Sequence, residues 1–447
     1  MHECDRFGQP WPSLSADDTR IPTLGTAKIP NPRKSSLFVS DDHGVLLDVA
    51  YRPGVANPTS PVFQQGGPRA NIYFDPPKTK CAVVTCGGIC PGANDVIRSI
   101  VMEAHHGYDI SAILGVRYGL SGFTPKSSPD VMELTPANVA DIHEFGGTVL
   151  GSSRGPQNPE DVVDALERLN VGVLFMLGGV GTMRAAQAVN AVTTKRGLKI
   201  AVVCVPKTID NDIHFVHCTF GFDTAVEKAV EAIRCAHVEA LGSPYGVGMV
   251  KLMGRESGFI AAAAALAIKE VNFVLVPEQT FTLEGPAGFL PTLEARLKRR
   301  GHAVVVVAEG AGQHLLPESG LTDASGNRIL GDICGLLLKE MKRYFKDRLP
   351  MTVKYIDPSY IIRSVPAGAS DRAHCNMLGA MAVHAGMAGK TGLMVTEIHD
   401  IPAHVPLPLV TVERKRMDLT SNFWQQVLDS TGQNRVVNTP GACGCPI

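Results

Sequence analysis

A chain of 447 residues with 45% hydrophobic content is long enough for two or three domains with sizeable cores. Forty-two Lys plus Arg against 43 Asp plus Glu leave a formal charge of -1, which excludes a global electrostatic footprint for nucleic acid or an anionic membrane surface. The longest apolar runs, 259–268 and 303–308, are too short to span a bilayer, and the N-terminus lacks a hydrophobic signal segment, so a cytoplasmic protein is expected.

Residues 1–78 are rich in Pro, Ser, Asp and Arg, with short apolar stretches such as Val45-Leu46-Leu47, and read as an extended N-terminal arm wrapped on another domain or subunit. From Lys80 the pattern changes. Strands are predicted at 81–85, 110–115, 171–177 and 200–205, with helices opening near Asn94 and Thr182, the βαβ alternation of a doubly wound parallel sheet. A second series, with a helix at 224–240 and strands at 245–252, 271–276 and 303–308, predicts a second α/β domain. A helix at 370–388 and a strand at 392–396 are expected to pass the chain back to the first domain. The predicted division is an arm (1–78), a first domain (79–212 with about 385–402), a second domain (213–384) and a C-terminal extension (403–447). No period of 20 to 50 residues recurs, which excludes repeat architectures. Cys81, Cys86 and Cys204 lie inside apolar strands and read as reduced core thiols, while Cys86 with Cys90 and Cys443 with Cys445 lack the matching second pair that a zinc site needs.

Several predicted strands run into loops whose residues suit phosphate. Thr85-Cys86-Gly87-Gly88-Ile89-Cys90-Pro91-Gly92 leads into a helix, and its glycines allow backbone N–H groups to approach phosphate oxygens. In Gly151-Ser152-Ser153-Arg154-Gly155-Pro156 the Arg154 guanidinium can fork onto phosphate beside Gly155. Gly178-Gly179-Val180-Gly181-Thr182 is a third such turn, with Thr182 placed as an N-cap or a phosphate ligand. The richest stretch is Pro206-Lys207-Thr208-Ile209-Asp210-Asn211-Asp212, which puts two carboxylates, a hydroxyl and an amine at the end of a buried strand. An acidic turn could explain that stretch alone, but not together with three glycine loops.

In order from about residue 80 to 397, these landmarks resemble the 6-phosphofructokinase family, together with Met253-Gly254-Arg255, Glu309 and Tyr360-Ile361-Ile362-Arg363. The Gly151-Ser152-Ser153-Arg154-Gly155-Pro156 loop, the long arm and Tyr355-Ile356-Asp357-Pro358-Ser359-Tyr360 look most like the plant and trypanosomatid ATP-dependent group. The resemblance implies two doubly wound parallel-sheet α/β domains of the phosphofructokinase type, one binding nucleotide and one binding fructose 6-phosphate. It implies Asp210 as the base that takes the proton of the sugar 1-hydroxyl, with Thr208 and Arg255 holding the transferring phosphoryl group. Gly88, Arg154, Gly155, Gly179, Val180, Gly181 and Thr182 would cradle the nucleotide phosphates. Ile209, Met253, Gly254 and Glu309 would line the sugar pocket, and Tyr360 with Arg363 would grip the 6-phosphate. Further implications are ATP with Mg²⁺, a homotetramer and effector control; no nucleic acid or membrane partner is expected.

Lys207 does not reveal the phosphate donor, because pyrophosphate-using members also carry Lys there. Gly181 favours ATP, since pyrophosphate users have an Asp whose bulk and charge oppose the α-phosphate. The departure is Val180, where the family has the Asp expected to serve Mg²⁺; an isopropyl group cannot replace it. A weakened enzyme is expected, with a catalytically impaired regulatory paralogue or a pyrophosphate-dependent enzyme as alternatives. NAD and lipid kinases share the glycine loop but lack the 206–212 stretch and Met253-Gly254-Arg255. Trypanosomatid relatives lie in glycosomes, but Cys445-Pro446-Ile447 is no Ser-Lys-Leu-type signal, which leaves the cytoplasm as the expectation.

Overall fold

Continuous β-branched runs need cover on both faces, and the centre of the fold provides it. The structure, a computed structural model, describes residues 14–433 apart from 35–36, 48, 50–59, 125–129, 319 and 324–325, so Cys443, Cys445 and the chain end lie outside the described residues. In chain order the arm contributes β1 (Ile29–Pro30), β2 (Gly44–Leu46), β3 (Val62–Gln65) and β4 (Asn71–Ile72). The first domain follows with β5 (Lys80–Thr85), α1 (Ala93–Met102), β6 (Ala112–Val116), β7 (Val131–Glu133), α2 (Pro159–Arg168), β8 (Val173–Gly178), α3 (Val180–Lys195) and β9 (Ala201–Pro206). Next come α4 (Phe222–Leu241), β10 (Gly246–Leu252), α5 (Phe259–Ile268), β11 (Phe273–Leu275), α6 (Phe289–Arg300), β12 (His302–Ala308), α7 (Ile333–Phe345) and β13 (Thr352–Ile356). The chain closes with α8 (Ala369–Met387), β14 (Leu393–Ile398), β15 (Ile401–Pro406), α9 (Leu407–Thr411) and α10 (Asn422–Thr431).

Two sheets form. The larger has the order β2-β3-β15-β14-β9-β8-β5-β6-β7, and the smaller, all parallel, has the order β11-β12-β10-β13. The larger sheet is parallel from β14 to β6 and antiparallel at its edges, where β7, β15, β3 and β2 are added. Alternate residues of its central strands feed different cores: Val83, Phe175 and Val203 face one layer, while Val84, Met176 and Cys204 face the other. The first of these cores runs on through α4 and α5 to Val250, Val304 and Val306 of the smaller sheet, so both sheets share apolar packing. The far side of the smaller sheet is closed by α6 and α7.

The helix α8 leads into β14, which pairs in parallel with β9. The domain that the arm wraps is the first: β3 pairs with β15, and the backbone bonds from Leu24 to Gly389 (2.8 Å) and from Tyr73 to Met387 (2.8 Å) stitch it down. The boundary expected at 403 falls inside β15, which pairs with β14 along its whole length. Beyond α9 the chain crosses to the smaller sheet, where α10 packs on α5 and β11.

Register then positions the loops. Thr85 pairs with Leu177, and Gly178 with Pro206, so the three turns after β5, β8 and β9 open side by side. Leu252 pairs with Ala308 in the smaller sheet, which sets Met253 beside Glu309. Both groups of loops leave the carboxyl ends of parallel strands, where open α/β sheets form ligand crevices.

Candidate active site

The turn after β5 is held by the 151–156 loop. Gly87 N–H donates to Ser153 O (3.1 Å), Ser152 Oγ donates to Gly87 O (2.7 Å), and Thr85 Oγ1 donates to Gly151 O (2.6 Å). Cations gather on this scaffold: a Cβ on Gly88 would stand 3.3 Å from Arg363 Nη1 and 3.6 Å from Arg154 Nη2, and Lys207 Nζ donates to the Gly88 carbonyl. Lys207 is buried, and that burial pushes its pKa down. Three basic groups around one half-buried stretch of glycine backbone make an anion cradle.

The turn after β8 is the second half of that cradle. Gly179 is the N-cap of α3, and Val180, not Thr182, opens the helix. Thr182 is therefore not the N-cap; it lies in the first turn, with its N–H bonded to Gly179 O (2.9 Å), because Gly178 and Gly179 already leave the strand. A Cβ on Gly181 would meet nothing within 4 Å, so the α3 N-terminus opens onto free space. Val180 points elsewhere: it is 3% exposed and belongs to the apolar core that includes Met183 and Ile213.

The 206–212 stretch is fixed from below. Lys207 N–H donates to Gly178 O (2.9 Å), Ile209 enters the core, and Thr208 Oγ1 accepts from Asp210 N–H (3.1 Å). Asn211, buried with φ 54, accepts from Thr219 N–H (3.0 Å) and donates to His217 O (3.5 Å), which fixes the turn between Asp210 and Asp212. Asp210 Oδ1 is buried with no hydrogen-bond partner among the described residues. Burial pushes this carboxyl up to about 7, helped by Asp212 and Glu309 and opposed by Arg414 and Arg363. Asp212, also buried, pairs with Arg414 at 2.8 Å.

The smaller sheet supplies the opposite wall. Glu309 N–H donates to Leu252 O (2.9 Å), and Gly310 N–H donates to Gly254 O (3.0 Å). Gly254 needs to be glycine: its φ is +129, and a Cβ would lie 2.4 Å from Ser257 O. Ser257 in turn donates to Asp210 O (3.0 Å), joining the two walls. Met253 packs half-buried on the shared core. The half-buried Glu309 carboxyl is raised by burial, against the pull of Arg255, Lys251 and Arg363. Arg255 donates to Arg328 O, and Asp323 lies 3.6 Å from Arg255 and 3.8 Å from Arg154. Arg363 stacks 5.0 Å from the ring of Tyr360, which is 70% exposed. The structure therefore brings Arg363 to the Gly88 loop and leaves Tyr360 at the rim. Gly155, with φ +98, turns the chain just after Arg154.

Sequence reasoning gave no role to Asn211, Ser257, Asp323 or Arg414. Asn211 carried a signal, since Asn is a frequent left-handed turn residue, but Arg414 lies about 200 positions from its partner and carried none. No group of three or more His, Cys, Asp or Glu side chains able to hold a metal occurs among the described residues. With Val180 buried in an apolar core, the chain does not offer the expected carboxylate to Mg²⁺.

Two α/β lobes facing each other across glycine loops, clustered cations and a carboxyl of raised pKa define a protein built for phosphoryl transfer. The phosphofructokinase family profile matches residues 80–386, and the chain belongs to that family. It is 45% identical over 435 residues to the ATP-dependent 6-phosphofructokinase of Borreliella burgdorferi, covering 93% of this chain and 97% of the relative. To the enzyme of that name from Trypanosoma brucei brucei it is 44% identical, covering 94% and 88%. A chloroplastic ATP-dependent 6-phosphofructokinase of Arabidopsis thaliana is 47% identical, covering 83% of this chain and 69% of the relative. Among solved structures, a pyrophosphate-dependent phosphofructokinase from Marinobacter aquaeolei superposes with a TM-score of 0.66 at 22% identity, covering 79% and 91%, a likeness of fold alone.

Proposed function

We propose that this chain phosphorylates fructose 6-phosphate with ATP in glycolysis, giving fructose 1,6-bisphosphate and ADP. The observation that carries this reading is the meeting of Arg154, Arg363 and Lys207 at Gly88, beside an Asp210 carboxyl of raised proton affinity. Asp210 takes the proton of the 1-hydroxyl, whose oxygen bonds to the γ-phosphorus while the bond to the bridging β-phosphate oxygen breaks, and ADP leaves. Thr208 and Arg255 hold the phosphoryl group in flight. The first domain binds the nucleotide through Gly88, Arg154, Gly155 and 179–182. The second binds the sugar through Met253, Gly254 and Glu309, with Tyr360 and Arg363 on the 6-phosphate.

The open space at Gly181 favours a nucleotide over pyrophosphate as donor. Mg²⁺ arriving with the phosphates of ATP would neutralise part of their charge, and Val180 would supply it no oxygen. A cytoplasmic homotetramer under effector control fits the family. No helix among the described residues is long and apolar enough to cross a membrane.

A coupled assay with fructose 6-phosphate and either ATP or pyrophosphate, at high Mg²⁺, tests the proposal. Turnover is expected with ATP only, and Asp210→Asn is expected to lower it by about 10² to 10⁴. Binding of fructose 6-phosphate without turnover on either donor would instead support the regulatory paralogue, the reading that Val180 favours.

A further inference from the structure

Asp212, two residues from Asp210, is gripped by a segment remote in sequence. Between α9 and α10 the chain crosses from the larger sheet to the smaller, and residues 414–417 all bond to other loops on the way. Arg414 Nη1 donates to Asp212 Oδ2 (2.8 Å), and its Nη2 lies 3.4 Å from Asn327 Oδ1. Lys415 N–H donates to Asp212 O (2.9 Å), while its fully buried Nζ donates to Val216 O (2.8 Å) over the face of Phe259. Arg416 pairs with Glu256 (3.0 Å), and Met417 N–H donates to Glu278 (3.0 Å). Asp212 is thus held at both its side chain and its backbone by two successive residues of the C-terminal segment.

We propose that Arg414 is a positioning residue for the reaction: it clamps Asp212 and screens its charge from Asp210, so that the C-terminal segment sets the pH range in which the base works. The inference rests on the reading of Asp210 as base. Two carboxylates two residues apart in a poorly hydrated cleft oppose each other's ionisation, and a guanidinium on one relieves the other. The charged groups that act most on Asp210 are Asp212 on its own loop, Glu309 after β12, Arg414 and Arg363 after β13. Glu309 is itself balanced by Arg255 and Lys251, which leaves Arg414 as the cation set on Asp212. Without it, Asp212 would face Asp210 uncompensated, and the base would bind its proton more tightly.

The test is the pH profile of kcat/KM for fructose 6-phosphate, from about pH 5.5 to about 9, on the full-length protein. Arg414→Met is expected to move the acid limb upward by about one pH unit, so that its deficit shrinks as pH rises, and Arg414→Lys to restore much of the shift. Asp212→Asn added to Arg414→Met removes the repelling charge and should bring the limb back. A limb that stays in place in Arg414→Met, whether or not the rate falls, overturns the proposal, because a merely structural tether would depress the rate equally at every pH. Should Arg414→Met fail to fold, Arg414→Gln, which keeps a hydrogen-bond donor for Asp212 without the charge, decides: an upward shift of the limb supports the screening, and an unmoved limb refutes it. Asp210→Asn separates the two levels. If that variant keeps wild-type turnover, the reading of Asp210 as base fails; if it is inactive while the Arg414→Met limb is unmoved, only the role of Arg414 fails.

Discussion

At Asp210, catalysis and stability pull in opposite directions. Its carboxyl is raised from an ordinary value near 3.8 to about 7, so the folded chain keeps a proton there that the unfolded chain has lost. Linkage gives the sign: the contribution to stability is fully present below pH 3.8 and declines as pH rises through about 7. Asp210→Asn removes an ionisation that the fold opposes. The variant is therefore expected to melt higher than the wild type at pH 8, with the gain diminishing by pH 5.5, in paired calorimetric scans. A gain independent of pH would show that burial is not what raises the group. Val180 presents the reverse case. It opens α3, where a carboxylate gains from the helix N-terminus, yet its side chain is packed in an apolar core. Val180→Asp is expected to raise kcat with ATP about a hundredfold or more at saturating Mg²⁺, and to lower stability by about 1 to 3 kcal/mol without nucleotide. Steady-state rates and melts with and without MgATP check both halves, and an unimproved rate would clear Val180 of any part in weakening the reaction.

Between elements, a single buried carboxylate does the work of a cap. α4 starts at Phe222 after Gly221, which has no side chain to cap it, and Asp371 from the first turn of α8 fills the role. It accepts from Gly221 N–H (2.7 Å), Thr224 N–H (2.8 Å) and Thr224 Oγ1 (2.5 Å). Asp371→Ala leaves those donors buried and unpaired, so a loss of about 2 to 4 kcal/mol is expected in urea unfolding. Asp371→Asn should recover part of it, and equal losses from the two variants would argue against the cap. Such a contact was illegible in the sequence, because the capping residue lies about 150 positions from the helix it caps. The strands that were legible, such as β8 and β9, are buried along their whole length and read as unbroken apolar runs. The parallel edge strand β13 passed unread: Thr352–Ile356 is half exposed, with Lys and Tyr facing outward, and its sequence carries no such run. Similarly, β15, β3 and β2 take their place from successive antiparallel pairing outward from β14, not from hydrophobic pattern, so the larger sheet's antiparallel edge could not be anticipated. The site itself was better marked. Its glycine loops and the 206–212 stretch are local in sequence, whereas Arg414, Asp323 and Ser257 arrive by tertiary contact.

For the molecule as a whole, the C-terminal segment links both sheets to the cleft between them. β15 completes the larger sheet beside the arm, residues 414–417 pass behind the 206–212 loop, and α10 docks on α5 and β11. Its anchor is Trp424, 1% exposed, reinforced by Gln433, whose side chain accepts from Val274 N–H (2.9 Å) and donates to Val274 O (3.3 Å) along the edge of β11. Trp424→Ala removes the largest side chain in that contact and is expected to cost about 3 to 5 kcal/mol. Because most of the chain's core lies elsewhere, the loss should appear first as local opening of α10. Hydrogen exchange at the backbone amides of 424–433 should accelerate most, and that of Lys415 and Met417 next, since their acceptors Asp212 and Glu278 hold the same segment. The central strands β8 and β9 should exchange at nearly the wild-type rate. If α10 does tension the segment, the acid limb of the rate profile will rise in Trp424→Ala as it does in Arg414→Met, although no atom of Trp424 belongs to the cleft. Faster exchange in α10 with an unmoved limb would mean that Arg414 holds Asp212 without help from the far sheet.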